Sequence, residues 1–564
     1  MMLALILLTA IGVIVLAERS TEHLPFAIAA LSLSAAAVSF VVGDFERALL
    51  LAGVLAAAVS AASAVKHDYS ALKLTVTDLP LMFAGTAPFF ASQYPRAVLA
   101  VVIGAAAFVL AIIATLIHGT GPSIALDVRL FLFSVNLVCV VIAFRLGGGA
   151  ISFQRNMAQR RCFYSTFMAS LIDPQSWQRA SGLVPSDIAN DPLPLMAAIP
   201  ARAIDYPDII VIQHESIFDP RIFGLPVDPA VEAFLSPSNG LHGILNVDIF
   251  GGGSWQSEFS LLTGLSSASF GSNAYHLFKQ GAGRFHNALP HALAALGYRT
   301  MLASSCRRSF LHYDEFYRSI GMGERLFADD FPPPFDVRQF ETTNSDAVFL
   351  EAAFAAHTKA IAEDPAPRFL YSLTNFNHGP HDRRLATPGL FETERSFAAS
   401  SLPDPQYAEY YARLAETASS WKRIKLALAA NFPKRPMVIV HYGDHQPVMA
   451  KRIDRQLNLP DDPRRAFRTF YAIEQLNIGP DRPASGPGAD LDIAFLGTVA
   501  LQQAGLPLDP IFATRASLLE HCRDTYFASP SERKRRFHRT LVNLGMIDIG
   551  RNVQRGRYLP TPTK

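Results

Sequence analysis

The sequence predicts two unlike parts: an N-terminal α-helical transmembrane bundle, then an α/β domain on a mostly parallel, doubly wound sheet. Three observations carry this. Long apolar stretches crowd residues 1–150, which hold only seven of the chain's 50 Lys/Arg and seven of its 48 Asp/Glu. From Pro207 onward, short unbroken apolar runs alternate with helical stretches. Reactive polar residues come directly after several of those runs.

The chain has 564 residues, half of them hydrophobic, which excludes a largely disordered or fibrous protein. Its formal charge of +2 gives no support for a nucleic-acid partner. The four cysteines form no CxxC pair, which argues against a disulfide framework or a structural zinc site.

Crossing a bilayer takes about 20 apolar residues. Five stretches approach this: Met2–Leu16, Leu24–Val42, Ala48–Val65, Ala97–Ile117 and Leu130–Phe144. The first lacks the basic flank of a signal peptide and is followed by four more, so it reads as a span. Leu79–Phe90, with Pro80 and Pro88, reads as a re-entrant segment or a plain loop, leaving five spans or six. Ser152–Ile172 alternates Arg with Phe, Met and Leu, as expected of an amphipathic helix on the membrane surface or of a linker helix. Arg145, Arg155, Arg160 and Arg161 locally favour a cytoplasmic position for the segment after the last span. Five spans from a cytoplasmic N-terminus would place that segment outside. The expected division is 1–147 transmembrane, 148–204 interfacial linker, 205–530 catalytic domain, and 531–564 a basic helix and tail around Arg533-Lys534-Arg535-Arg536.

In the second part, Asp208–Gln213 and Met437–Tyr442 suit strands buried on both faces, as do Tyr298–Ala303 and Arg368–Thr374. Leu289–Leu296, Asp346–Ile361 and Tyr407–Ala430 read as helices, and Leu491–Leu506 as a further strand and helix. Alternation of this kind implies a parallel sheet with its site beyond the carboxyl ends of the strands. There stand His214-Glu215-Ser216, Asn375 to His381, and Gly443-Asp444-His445. Ser254 comes after three glycines and precedes a helix-like run.

Each feature has an ordinary explanation: a solvated loop carboxylate, a serine N-cap, a surface histidine. Jointly they fit phosphoryl or sulfuryl transfer. Glu215, Asp444 and His445 could hold one divalent cation through O, O and N atoms, with Ser254 as fourth ligand and nucleophile. A helix starting at Ser254 would aim its N-terminus at the anion. His378 could donate to a phosphate oxygen or protonate the leaving alcohol.

These residues resemble the alkaline phosphatase superfamily in its sulfatase-like branch. Within it they are most similar to the lipoteichoic acid synthase and periplasmic glucan phosphoglycerol transferase group. The similar motifs are Glu215-Ser216-Ile217-Phe218, Ser254 four residues before Glu258-Phe259, Leu262-Thr263-Gly264-Leu265, Asn377-His378-Gly379-Pro380 and Gly443-Asp444-His445. Their order agrees, over roughly residues 205–510 plus the membrane region. Two departures stand out. Ser254 replaces the usual threonine, and Ser309-Phe310-Leu311-His312-Tyr313 lacks the Trp-x-Arg found after a Ser-Phe pair in lipoteichoic acid synthases.

The resemblance implies a sulfatase-type fold and one divalent ion, Mn²⁺ first, with Mg²⁺ and Zn²⁺ open. It implies catalysis by Ser254 and His378 and a metal site of Glu215, Ser254, Asp444 and His445; where the Trp-x-Arg is missing, Arg307 and Arg308 just upstream could bind the anion instead, with His381 and Trp255 as further candidate substrate contacts. The implied activity moves a phospholipid head group, phosphoglycerol from phosphatidylglycerol first, to an extracytoplasmic glycan. The implied place is a bacterial cytoplasmic (inner) membrane, multi-pass, with the catalytic domain facing outward. Phosphoethanolamine transfer, a phosphodiesterase or sulfatase-type hydrolase, and a non-catalytic membrane scaffold are the alternatives.

Overall fold

The computed structural model describes residues 12–549 apart from 13, 16–17, 71–72, 79–94, 119–122, 150–160, 174–182, 184, 186, 203–204, 334, 336–344, 479–485, 523, 527–528 and 530. Nearly all of the first expected span, Leu79–Phe90, Arg155, Arg160 and the tail from 550 therefore lie outside the described residues. The chain divides into two compact units, Met1–Ser181 and Gly182–Lys564.

Among the described residues of the first unit, three helices are long and apolar enough to cross a membrane: Leu24–Val42, Phe45–His67 and Leu126–Leu146. They match the second, third and fifth expected stretches. The fourth is a helix, Pro95–His118, of which Val101–Ile117 forms the described apolar part. Small side chains let two of these helices approach closely: Ala27, Ala30 and Ala35 of one meet Ala52 and Ala56 of the next. Of Ser152–Ile172, expected as a helix on the membrane surface or as a linker helix, the described part is helix Phe163–Ile172. Its Phe163 to Phe167, Ala169 and Ser170 are all buried within this unit. Tyr164 reaches Ser34 with its hydroxyl (3.2 Å), and the Ser165 amide donates to the Glu18 carboxylate (2.9 Å). Partners in the bundle make this helix part of its core.

Among the described residues, the second unit is built on a nine-stranded sheet. Its strands are β1 (Asp208–His214), β2 (Gly240–Asn246), β3 (Arg299–Ser304), β4 (Glu324–Leu326), β5 (Arg368–Leu373), β6 (Met437–Gly443), β7 (Arg468–Leu476), β8 (Gly486–Pro487) and β9 (Leu491–Asp492). The order is β4-β3-β5-β1-β6-β7-β2-β8, with β9 also on β2. Every pairing is parallel except those of β7 with β6 and with β2. Strands β1, β5 and β6 are buried along their whole length, as their unbroken apolar runs require.

The four expected strands and three expected helices fall within a few residues of their predicted bounds: Leu289–Ala295, Asp346–Glu363 and Pro405–Asn431 are the helices. Asp404 starts the last of these, accepting from the amides of Gln406 (2.8 Å) and Tyr407 (3.1 Å), with Pro405 at the first turn.

The unit extends beyond the expected range 205–530 at both ends. The amides of Ala189 and Leu193 donate to the carbonyls of Arg535 and Arg536 on helix Glu532–Asn543. That helix does not present its basic run to solvent as a whole: Lys534 is buried, on the Asp187 carboxylate (2.7 Å) and the Tyr526 carbonyl (2.8 Å).

Candidate active site

Parallel pairing brings the first two carboxylates together. β1 and β6 run in register, with His214 opposite Gly443, so Glu215 and Asp444 leave adjacent strands side by side. Gly443 is required there: a Cβ would stand 1.7 Å from the Ile217 carbonyl oxygen. Ser216 knits the pair. Its amide donates to Asp444 Oδ1 (2.7 Å) and its hydroxyl to Glu215 Oε1 (2.8 Å). It does so at a φ of 57°, a left-handed conformation that costs a non-glycine residue about 1 kcal/mol or more.

The hydroxyl arrives from β2. Gly251, Gly252 and Gly253 have φ values of 79°, 150° and 93°, a path open only to glycine, and helix Ser254–Thr263 begins immediately after. The loop is tied to the end of β6 by the Gly251 amide on the Gln446 carbonyl (2.8 Å) and by Ser257 Oγ on the Asp444 carbonyl (2.7 Å). Ser254 Oγ consequently donates to Glu215 Oε2 (2.9 Å) and lies 3.4 Å from His445 Nε2. Here the serine is not an N-cap, because Gly253 occupies that position.

Glu215, Asp444 and His445 are all buried, and their ligand atoms lie within 4.8 Å of one another. His445 Nδ1–H donates to the Gln446 carbonyl (3.1 Å), which turns Nε2 toward the carboxylates. Asp444 Oδ2 is buried without a hydrogen-bond partner. An orphaned buried carboxylate oxygen beside an oriented imidazole and a second carboxylate is a donor set that fits one divalent cation. The protons respond to the same crowding. Burial and then the Glu215 charge push Asp444 up to about 7. Burial would lower His445, but Asp444 and Glu215 outweigh it and raise it to about 9. Burial opposes ionisation of Glu215, yet the neighbouring His445 holds it below the usual carboxylate range. A bound cation would take the place of these shared protons.

The remaining predicted residues divide. His378, half-buried after β5, donates Nδ1–H to the Gly379 carbonyl (2.6 Å) and lies within electrostatic reach of Glu215. Trp255 donates to the Tyr275 carbonyl (2.8 Å) and meets the Tyr275 and Phe310 rings edge-on, which brings the turn after Arg307 alongside helix Ser254–Thr263. His381 is buried, its Nε2–H on the Asn377 carbonyl (2.9 Å) and its ring against Tyr410; burial and then Arg413 keep it neutral. Arg308 is engaged elsewhere, by Asp314 (2.8 Å), Asp330 (2.6 Å) and the Phe327 ring. That leaves its charge compensated.

Sequence reasoning did not assign Glu258 a role. It lies one turn beyond Ser254 and is buried, accepting from Tyr313 (3.1 Å), Tyr317 and Gln213 (3.3 Å). Burial pushes it up to about 8, its three donors pull it down, and the Asp444 charge adds to the rise. Its position one turn after the serine was a visible signal; its tyrosine partners were not.

Residues 207–469 match the Sulfatase family model. An uncharacterized protein of Haemophilus influenzae is 24% identical over 314 residues, 54% of this chain and 55% of that protein, so the match spans about half the length of this relative. Two solved structures are also similar. One is the phosphoglycerol transferase GacH of Streptococcus pyogenes with sn-glycerol-1-phosphate (17% identity, 61% of this chain, 87% of that one, TM-score 0.44). The other is the integral membrane lipooligosaccharide phosphoethanolamine transferase A of Neisseria meningitidis (13%, 83%, 88%, 0.44).

Proposed function

Taking residues 207–469 as a sulfatase-family domain of the alkaline phosphatase superfamily, we propose that the chain is a membrane-anchored phosphotransferase with Ser254 as nucleophile. One observation carries the reading: Ser254 Oγ sits at a helix N-terminus, 2.9 Å from a carboxylate of a buried three-residue cation site.

Ser254 Oγ, with Glu215 accepting its hydrogen, forms a bond to the phosphorus of a phospholipid head group. The bond to the diacylglycerol oxygen breaks, and His378 Nε2–H protonates that oxygen. In the second half an acceptor alcohol gives its proton to His378 and bonds to the phosphorus, and the bond to Ser254 Oγ breaks as Glu215 returns its hydrogen. Glu215, Asp444, His445 and Ser254 would hold a divalent ion, which when bound lowers the hydroxyl pKa and offsets charge on the phosphoryl group. The N-terminal amides of helix Ser254–Thr263 favour the same anion.

The finer parts of the reading are the donor phosphatidylglycerol, a glycan acceptor, Mn²⁺, substrate contacts from Arg307, His381 and Trp255, and a catalytic unit outside the cytoplasmic membrane. Residues 148–204 would join anchor to enzyme. Apolar helices of span length support a lipid donor by holding the site near a bilayer.

The test is incubation with labelled phosphatidylglycerol and phosphatidylethanolamine, reading diacylglycerol and phosphate on Ser254 by mass spectrometry. Release from the first and none after Ser254→Ala is expected. Activity retained in Ser254→Ala removes the serine from the mechanism, and release from phosphatidylethanolamine alone makes the head group ethanolamine. A reporter fused after Lys564 that works only in the cytoplasm overturns the orientation.

A further inference from the structure

We propose that Arg413 is a positioning residue for the transfer step, holding the loop that presents His378. The inference rests on the reading of His378 as the acid for the leaving alcohol. Arg413 lies within helix Pro405–Asn431 and is completely buried. Its guanidinium spans the loop after β5. Nη1 donates to the carbonyls of His378 (3.2 Å) and Phe376 (3.4 Å), and Nη2 to that of Arg383 (2.8 Å). Nε donates to Glu409 Oε1 (2.8 Å), one turn earlier on the same helix. Glu409 closes the grip by accepting from the amides of Leu385 (2.7 Å) and Ala386 (3.1 Å) and from Arg395. One buried ion pair thus fastens residues 376–386 at both ends.

Stability alone gives little reason for such a pair. Buried ion pairs are costly to desolvate, and apolar side chains of similar volume often replace them without loss. What apolar groups cannot do is satisfy three loop carbonyls in fixed directions. A planar guanidinium with five donors can; a lysine ammonium cannot reach all three. The consequence falls on His378, whose ring is oriented by its own Nδ1–H on the Gly379 carbonyl. Its direction is therefore set by the backbone at 378–379, which Arg413 holds through the His378 carbonyl. His381, in contact with Tyr410 of the same helix, is carried on the same loop.

A residue that acts by aiming an acid matters most when the leaving group needs a proton. The test compares the diacylglycerol and p-nitrophenyl esters of glycerol phosphate, and the same two esters of ethanolamine phosphate, with full-length wild type, His378→Ala and Arg413→Lys. p-Nitrophenolate leaves without protonation; a lipid alkoxide does not. Arg413→Lys is expected to slow the lipid ester about 100-fold, within the range of general acid catalysis, and the aryl ester by less than about threefold. Divalent-ion affinity should stay at the wild-type value. Equal loss on both esters, or wild-type rates on both, overturns the proposal. Selective loss in His378→Ala without it in Arg413→Lys removes only the Arg413 role. Absence of selectivity in His378→Ala removes the acid assignment and this inference with it. Should Arg413→Lys fail to fold, Glu409→Gln loosens the same grip, and the same selective loss is expected; its absence counts against the proposal.

Discussion

Glu258→Gln should change how stability depends on pH, in a direction the burial of this residue dictates. An ordinary glutamate titrates near 4.5, whereas Glu258 is pushed up to about 8 by burial, against the pull of Tyr317, Tyr313 and Gln213. The folded chain therefore keeps a proton that the unfolded chain has already released. This contribution is fully present below pH 4.5 and is lost as pH rises through 8. At about 1.4 kcal/mol per pH unit, the difference amounts to roughly 5 kcal/mol, an upper bound because the interior can relax. Glutamine keeps the size and an acceptor for the two tyrosine hydroxyls but cannot ionise. Thermal unfolding of wild type and Glu258→Gln in detergent with chelator, from pH 5 to 8.5, is the assay. The variant's melting temperature should gain on that of the wild type across this window. Parallel curves would show that Glu258 is an ordinary ionised carboxylate and refute the reasoning.

Other outcomes rest on the same contacts. Cation binding should release protons near pH 8, since His445 is raised to about 9 without the ion; titration calorimetry in two buffers of different ionisation enthalpy measures this, and buffer-independent heats would contradict it. Affinity should fall as pH drops through 7, where Asp444 also takes a proton. Gly264→Ala should destabilise the chain by several kcal/mol, read as a lower melting temperature, because the new Cβ would stand 2.5 Å from the Arg515 guanidinium carbon at a φ of 65°. Asp404→Ala should cost about 1–2 kcal/mol by the same measurement, from a lost helix cap and the unpaired Arg452.

Several features were legible because they are local. The apolar runs at β1, β5 and β6 mark strands buried on both faces, and the polar residues after them fall where such sheets place their sites. Asp444 and His445 are neighbours in sequence, and Ser254 is announced by three glycines. β7 was not legible. Arg468–Leu476 carries Glu474 and Gln475 into the sheet, and Glu474 is tolerated there because Trp421 (3.2 Å) and Lys425 (2.6 Å) donate to it. Its antiparallel course between β6 and β2 has no sequence signature.

The sequence by itself determined the division into an apolar part and an α/β part, the central strands, and the residue types of the candidate cation site, since hydrophobic period and strand-end chemistry are written over a few residues. Only the tertiary structure decided which charges are free to act. Arg308 stood among the candidate substrate ligands and is instead held by Asp314 and Asp330. Arg413 carried no motif and grips the His378 loop. Glu258 was one letter of a motif and proves to be a buried carboxylate among tyrosines. The physical reason is the same in each case: a side chain's charge is spent on whatever the fold sets within a few ångströms, and those partners come from distant segments.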